Sequence, residues 1–175
     1  MKTITKIILS LSILLLSSCN IVRVNSDYNN KIDFNSYKTY AFSKKGIDEV
    51  EINDIDKKRI LNAIDVELSN KGLRKSIIEP DILINFFTES NKKINYYPGY
   101  DHYSSGLSIG PWYNSYYYHN YTEGVLFIDI IDYKKNELIW QGVGKGYIPS
   151  KRDEKEDKIK LFVNKILMQY PPVKN

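Results

Sequence analysis

The C-terminal half of the sequence contains two strand-like runs that are close enough to pair directly. Residues 125–131 are almost continuously apolar, which is typical of a strand buried inside a sheet. A polar turn over residues 132–137 follows, and residues 138–147 have strand character again. Because so short a connection joins only antiparallel strands, we expect a hairpin at the centre of the fold.

The second strand of this hairpin has an unusual glycine face. Glycine weakens a strand, so several on one face indicate that another backbone or a large ring lies close against it. A packed helix is the favoured interpretation, and a ligand groove is the alternative. The residues that share this face by the two-residue strand period are Trp140, Gly142, Gly144 and Gly146.

Two amphipathic helices are predicted. The first covers residues 54–71, with Asn53 or Asp54 as its cap and Gly72 just beyond its end. Ile60, Leu61, Ile64 and Leu68 recur in it at helical spacing.

The second helix follows Ser150, a candidate cap, and carries Asp153 in an acidic first turn. The charged run over residues 151–158 is interpreted as a solvated face. The apolar stripe of this helix consists of Ile159, Phe162, Val163, Ile166, Leu167 and Tyr170.

The remaining runs complete an α+β chain. Residues 37–42 and 82–87 are predicted strands, and residues 20–28 form a short strand or a tether. We therefore expect one domain over residues 19–172. Its mostly antiparallel sheet would have about five strands, with two helices packed on one face.

The N-terminus has the layout of a secretory signal. Lys2 and Lys6 precede an apolar run over residues 7–16, which is too short to span a bilayer. Two serines then lead to Cys19, the only cysteine, in a pattern that resembles the lipobox of bacterial lipoproteins. The alternative is an ordinary leader with a chance cysteine.

The lipobox resemblance implies removal of residues 1–18 and attachment of several acyl chains, such as palmitate, to Cys19. Stable anchoring requires more than one chain. The expected location is the bacterial cell envelope, most simply the outer membrane facing the periplasm. Removing Lys2 and Lys6 lowers the formal charge from +4 to +2, so charge gives no argument for nucleic-acid binding.

An aromatic segment over residues 91–122 is predicted to form a long loop inserted before the hairpin. It contains glycines and prolines that break regular structure, and a loop of this length is usually functional or disordered. Packing over the glycine face, contact with an envelope protein or glycan, and a small-ligand site all remain open. The candidate binding residues are Tyr96, Tyr97, Tyr100, Tyr103, Trp112, Tyr113, Tyr116, Tyr117, Tyr118, Tyr121 and, outside the segment, Trp140.

Catalytic and metal-binding patterns are weak. His102 and His119 are 17 residues apart, which matches no compact ligand motif, so no metal is expected. No serine or cysteine lies in a nucleophile motif, and no cofactor is predicted. Asp129 and Asp132 could form a carboxylate pair, although acids are ordinary at strand ends.

Several motifs together resemble a family of bacterial lipoproteins catalogued as domain of unknown function 4136. The resemblance rests on residues 33–42, 67–73, 80–85, 123–132 and 138–142, in that order and spacing. It implies an envelope lipoprotein with an α+β fold, and it supplies no catalytic residue. Our leading hypothesis is a non-enzymatic interaction module that uses the tyrosine-rich segment. The alternative is a carrier of a small ligand or glycan, with a pocket near Trp140 and the glycine face.

Overall fold

The computed structural model describes residues 22–98 and 116–173, with side chains described for all of these except residues 94–98 and 116–120. In this range the chain has an α+β fold, with six strands in one mixed sheet and three helices. No helix in these ranges is long and apolar enough to cross a bilayer. The strands are β1 (Arg23–Tyr28), β2 (Thr39–Phe42), β3 (Arg74–Lys75), β4 (Ile82–Pro98), β5 (Tyr116–Asp132) and β6 (Glu137–Tyr147). The helices are α1 (Lys44–Asp48), α2 (Asp54–Asn70) and α3 (Arg152–Leu167).

The strand order in the sheet is β1-β6-β5-β4-β2-β3. Among the first four strands in this order, each strand is antiparallel to its neighbour, whereas β2 runs parallel to both β4 and β3. The parallel pairing arises because α2 carries the chain back across the sheet after β2. The predicted α+β architecture is therefore confirmed in outline. The structure adds β3 and α1, which are too short to produce a periodic signal.

The predicted first helix is confirmed as α2. The side-chain oxygen of Asn53 accepts a hydrogen bond from the backbone N–H of Asp56 at 2.9 Å, so Asn53 is the cap. Gly72 follows the other end with a φ of 84°, and its N–H donates to the Ser69 carbonyl at 2.9 Å. This is the left-handed C-terminal geometry that favours glycine.

The second predicted helix is α3, but its predicted cap is wrong. The N-cap residue is Lys151 rather than Ser150, and no side chain caps the helix. The N–H of Lys155 donates to the Lys151 carbonyl at 2.9 Å, so the first helical hydrogen bond forms one residue later than expected. Asp153 and Glu154 lie in the first turn, where the helix dipole stabilises them.

The hydrophobic core lies between one face of the sheet and the helices α2 and α3, and the glycine face of β6 is part of it. A Cβ atom on Gly142 would lie 2.4 Å from Cγ2 of Ile166, and one on Gly144 would lie 2.8 Å from its Cδ1. Both distances are too short for real contacts, so only glycine lets α3 pack this closely. The interpretation as a helix-packing face is confirmed at these two positions.

The predicted hairpin is confirmed as β5 and β6, and β4 and β5 form a second, longer hairpin that was not predicted. β4 and β5 stay in continuous antiparallel register from the pair Ile82 and Asp132 to the pair Pro98 and Tyr116. The predicted loop is therefore wrong at both ends, because residues 91–98 and 116–122 are strand. The glycines and prolines that suggested a loop begin only at Pro98, where the described pairing ends.

Candidate interaction ribbon and a neighbouring cavity

The far ends of β4 and β5 extend beyond the rest of the sheet. β2 pairs with β4 only as far as Ile84, and β6 pairs with β5 only from Glu123 onwards. Residues 92–98 and 116–122, here named the ribbon, therefore pair only with each other in the part of the chain that the structure describes. Along the outer edges of the ribbon, the backbone N–H and C=O groups have no neighbouring strand in that part, and of these only the Thr122 carbonyl has a backbone partner there, the N–H of Ile148 at 3.0 Å.

The ribbon collects many of the tyrosines singled out in the sequence. Tyr96 lies directly opposite Tyr118, and Tyr97 lies directly opposite Tyr117. Aromatic cross-strand pairs of this kind stabilise a sheet by roughly 0.2–1 kcal/mol each. The candidate residues within the ribbon are Tyr96, Tyr97, Tyr116, Tyr117, Tyr118 and Tyr121.

Of the other candidates, His119 is part of the ribbon and the rest of the segment's candidates lie outside the described ranges. His119 belongs to β5, opposite Asn95. In the described ranges, no three His, Cys, Asp or Glu side chains are grouped closely enough to hold a metal ion. The predicted residues that lie outside the described ranges are Cys19, Tyr100, His102, Tyr103, Trp112 and Tyr113.

Trp140 lies in the core and not with the candidate binding residues of the ribbon. Its side chain is fully buried, and its ring packs edge-on against Tyr170 with centroids 5.5 Å apart. A depression of about 230 Å³ lies beside it, between Tyr28 and Leu138. Because the indole itself is enclosed by core side chains, its geometry is that of a packing residue.

A larger cavity, of about 330 Å³, opens between the start of α2, the first half of α3 and the base of the ribbon. Its apolar walls include Ile60, Leu126 and Phe162, and the hydroxyl residues Thr88 and Thr122 border it. Sequence reasoning missed this cavity because its walls come from separate segments that only the fold brings together.

Asp56 is a buried carboxylate in the wall of this cavity. It accepts hydrogen bonds from Nδ2 of Asn53 at 2.6 Å and from the guanidinium of Arg59 at 2.7 Å, and it pairs with the ammonium group of Lys155. Burial raises the pKa of Asp56, but these three partners more than offset burial, so its pKa lies below the ordinary value. The carboxylate is therefore ionised and satisfied.

Lys158 also borders the cavity, and it corrects the prediction of a solvated face over residues 151–158. Its side chain is buried, with the residue only 5% exposed. Its ammonium nitrogen lies 6.0 Å from the ring centre of Phe162. Burial disfavours the charged form and lowers the pKa of Lys158. The cavity thus combines apolar walls with a desolvated cation.

A further buried carboxylate lies on the opposite face of the sheet. Nε2 of Gln141 donates to Asp129 at 2.7 Å, and burial nevertheless raises the pKa of Asp129. Asp129 and Asp132, which the sequence left as a possible carboxylate pair, have different partners, and Asp132 accepts a hydrogen bond from the Tyr37 hydroxyl at 2.8 Å. Asp132 also accepts a hydrogen bond from the backbone N–H of Lys135 at 2.9 Å, so it holds the turn.

Comparison with known families places this architecture. The model of a family described as "Domain of unknown function (DUF4136)" matches residues 24–172, which is most of the chain. The chain belongs to the DUF4136 family. No curated protein matches it.

Solved structures resemble this DUF4136 chain at low sequence identity. A crystal structure of a PDZ domain protein from Parabacteroides distasonis matches with a TM-score of 0.57 and 22% identity, over 89% of this chain and 37% of that one. Two PelC dodecamer structures from Paraburkholderia phytofirmans match with TM-scores of 0.44 and 0.49 and 11% identity, over 84% of this chain and 95% of each PelC chain. The chain spans little more than a third of the PDZ domain protein, and that likeness concerns the fold alone.

The residues that suggested DUF4136 hold the fold together. Asp81 accepts hydrogen bonds from the backbone N–H groups of Lys38 and Thr39 at 2.8 and 2.9 Å, which joins β2 to the start of β4. Asp33 caps a short 3₁₀ turn whose Phe34 is buried. These two motifs hold separate parts of the fold, whereas the motif over residues 123–132 contributes Gly124, Val125 and Leu126 to the cavity wall.

Proposed function

We propose that this protein is a lipid-anchored component of the bacterial envelope, without enzymatic activity, that contacts another envelope protein or a glycan through the ribbon. The observation that carries the proposal is the extension of β4 and β5 beyond every neighbouring strand in the described part of the chain. A lone two-stranded ribbon is marginally stable in water, so a contact that orders it would offset that weakness.

The composition of the ribbon supports a binding role. Tyrosine presents a large rigid apolar ring with a polar tip, and this combination is common in binding surfaces. The unpaired outer edges of the ribbon also match the backbone of an extended peptide, which can add to a sheet edge as a further strand. Both features favour a protein partner over a glycan.

The anchor rests on the N-terminal sequence. A short apolar leader ends in two serines and Cys19, and β1 begins at Arg23, close behind the proposed lipid. Labelling cells with radioactive palmitate should mark the wild-type protein and the Ser18→Ala variant but not Cys19→Ser. Label on Cys19→Ser would refute lipidation at this residue. Membrane fractionation of the wild type then tests the outer-membrane location.

The contact is tested by removing the ribbon. Replacing residues 93–121 with Asn-Gly, which favours a tight hairpin turn, should abolish capture of partners after crosslinking in intact cells. The Tyr97→Ala/Tyr117→Ala double variant should weaken capture. The matched control is Tyr133→Ala/Tyr147→Ala, which removes two tyrosines outside the ribbon that are 43% and 45% exposed. Unchanged capture by the ribbon-less protein would refute the contact.

A small-ligand carrier is the second candidate function, supported by the cavity rather than by the glycine face. Its volume of about 330 Å³ lies at the lower end of the range of roughly 300–1,000 Å³ for small-molecule sites. The apolar walls are bordered by the charged side chains of Glu51, Asp56, Glu89, Lys155 and Lys158, so the cavity suits a compact molecule that has an apolar body and one charged group. Octanoate is a suitable probe of this chemistry.

Titration with octanoate, octanol and octylammonium tests the carrier. Octanoate should bind about tenfold more tightly than octanol, since a hydrogen bond to a charged group contributes on that scale. Lys158→Met should remove this preference, whereas Lys165→Met, an exposed lysine of the same helix, should keep it. Equal binding of octanoate and octanol by the wild type would refute the role of the charge.

A further inference from the structure

We propose that the ribbon lies against the same lipid bilayer that holds Cys19, so that the protein touches the membrane at two places. This inference rests on the proposed lipidation and goes beyond the proposed function, because it gives the ribbon a lipid contact that is separate from any protein or glycan partner. It follows from where the sheet register places the N-terminal strand relative to the ribbon.

The start of β1 and the base of the ribbon lie at the same end of the sheet. Arg23 pairs with Lys145, which pairs with Val125, which in turn pairs with Glu89. These four residues form one row across four strands. Pro98 is nine residues beyond Glu89 along β4, or about 30 Å at the usual rise of a strand.

The tether is shorter than the ribbon. Three residues lie between Cys19 and Arg23, and the four steps from one to the other span at most about 14 Å when fully extended. If the strands stand upright on the membrane, the ribbon extends about 30 Å towards it from the row of Arg23, whereas the tether spans at most about 14 Å. The ribbon therefore reaches the lipid headgroups in every upright position that the tether allows. If the domain tilts until the strands run along the membrane, the strand spacing keeps β5 and β4 about 10 and 14 Å from β1, so the ribbon stays close to the surface.

The inverted orientation is excluded by the same lengths. To place the turn between β5 and β6 on the membrane, the tether would have to run back past the whole of β1. The six residues of Arg23–Tyr28 extend over about 17 Å, which exceeds the reach of the tether. The end of the sheet that carries the ribbon is therefore the end that faces the bilayer.

The residues of the ribbon suit this position. Tyrosine is enriched where membrane meets water, because its ring is apolar and its hydroxyl is polar. Residues 92–98 and 116–122 contain no aspartate or glutamate, and the exposed Lys92 and Lys93 can attract anionic headgroups. The ribbon thus combines interfacial rings with positive charge and lacks the acids that anionic lipids would repel.

A fluorescent label on each end of the sheet tests the orientation. The full lipidated chain is reconstituted in protein-free vesicles of phosphatidylethanolamine and phosphatidylglycerol, and lipidation is verified by mass. An environment-sensitive dye is attached to Asn95→Cys in the ribbon or, as the matched control, to Lys134→Cys in the exposed turn at the opposite end of β5. Nitroxide-bearing lipids should quench the ribbon dye and shift its emission to the blue, while the control dye stays unchanged.

The result separates the possible failures. A ribbon dye that stays unquenched on a lipidated protein overturns membrane contact, and quenching that appears only after envelope proteins are added assigns the ribbon to a protein partner instead. Quenching of the control dye alone would show the inverted orientation and refute the length argument. Loss of lipidation would be seen directly in the mass and would refute the anchor rather than the ribbon's role.

Discussion

Asp129 shows how one residue can give this protein a pH dependence. It is 7% exposed, and burial raises its pKa above the ordinary value of 3.8. The folded state therefore holds the proton of Asp129 more tightly than the unfolded chain does. Below pH 3.8 both states are protonated, and as the pH rises towards the folded pKa the folded protein loses stability through this group.

Replacing Asp129 by asparagine should remove this loss. The new side-chain carbonyl can still accept the hydrogen bond from Gln141, and the new amide can donate to Oδ1 of the cross-strand neighbour Asn85, a buried atom that has no hydrogen-bond partner among the described residues. The difference in unfolding free energy between Asp129→Asn and the wild type should become about 1 kcal/mol more favourable to the variant as the pH rises from about 4 to about 7. Urea denaturation at both pH values measures it.

The exposed Asp157 of α3 provides the control, since Asp157→Asn should show no such gain. Other carboxylates have the opposite effect. Partners hold the pKa of Asp56, Asp81 and Asp132 below the ordinary value despite burial, so the stability they give is lost as the pH falls. Comparing each variant with the wild type cancels these contributions. An Asp129→Asn variant that follows the wild type at both pH values would contradict the prediction.

At the scale of single elements, α2 shows how a helix end is fixed by one glycine. Gly72 has a φ of 84°, and a Cβ added there would meet no atom within 4 Å. Any cost of substitution is therefore a backbone cost. Gly72→Ala should lower the unfolding free energy by about 1 kcal/mol, because a left-handed conformation is unfavourable for alanine.

Gly72→Asn is the informative comparison, because asparagine adopts the left-handed conformation more readily than alanine. It should lose clearly less stability than Gly72→Ala in the same thermal or urea melts. Equal losses in the two variants would show that the side chain, and not the backbone angle, determines the cost.

Elements defined by local signals were the ones that sequence could predict. The spacing of Ile60, Ile64 and Leu68 and the ends at Asn53 and Gly72 all belong to one continuous segment, and α2 is formed as expected. Helix spacing likewise located α3. Its cap was mistaken because serine is a preferred N-cap residue and Ser150 directly precedes Lys151, the actual N-cap.

Features that depend on distant partners could not be predicted. The extension of β4 to Pro98 depends on pairing with residues 116–122, which the intervening glycines and prolines disguise as loop. The burial of Lys158 depends on its neighbours from α2, β4 and β5, and its own segment is highly charged. The tyrosines of the ribbon could thus be named from the sequence, whereas their arrangement on two paired strands required the sheet register.

For the molecule as a whole, the sheet has two unlike faces and one unlike end. The helices α2 and α3 cover one face and enclose the core. The other face carries Phe87, which is 43% exposed, together with the half-buried Phe127. At one end the ribbon extends beyond the other strands, so the described part of the chain consists of a packed domain and the ribbon that projects from it.

Removal of the ribbon should therefore leave the stability of the packed domain nearly unchanged. Between Phe86 and Leu126, no hydrophobic side chain that the structure describes is buried. Replacing residues 93–121 with Asn-Gly should change the unfolding free energy by no more than about 0.5 kcal/mol, as for a surface change. Phe86→Ala, which opens the core beneath the base of the ribbon, should cost about 3–5 kcal/mol in the same urea titration. If the ribbon-less protein loses as much unfolding free energy as Phe86→Ala, the ribbon is part of the core. Loss of binding could then no longer be assigned to the ribbon alone.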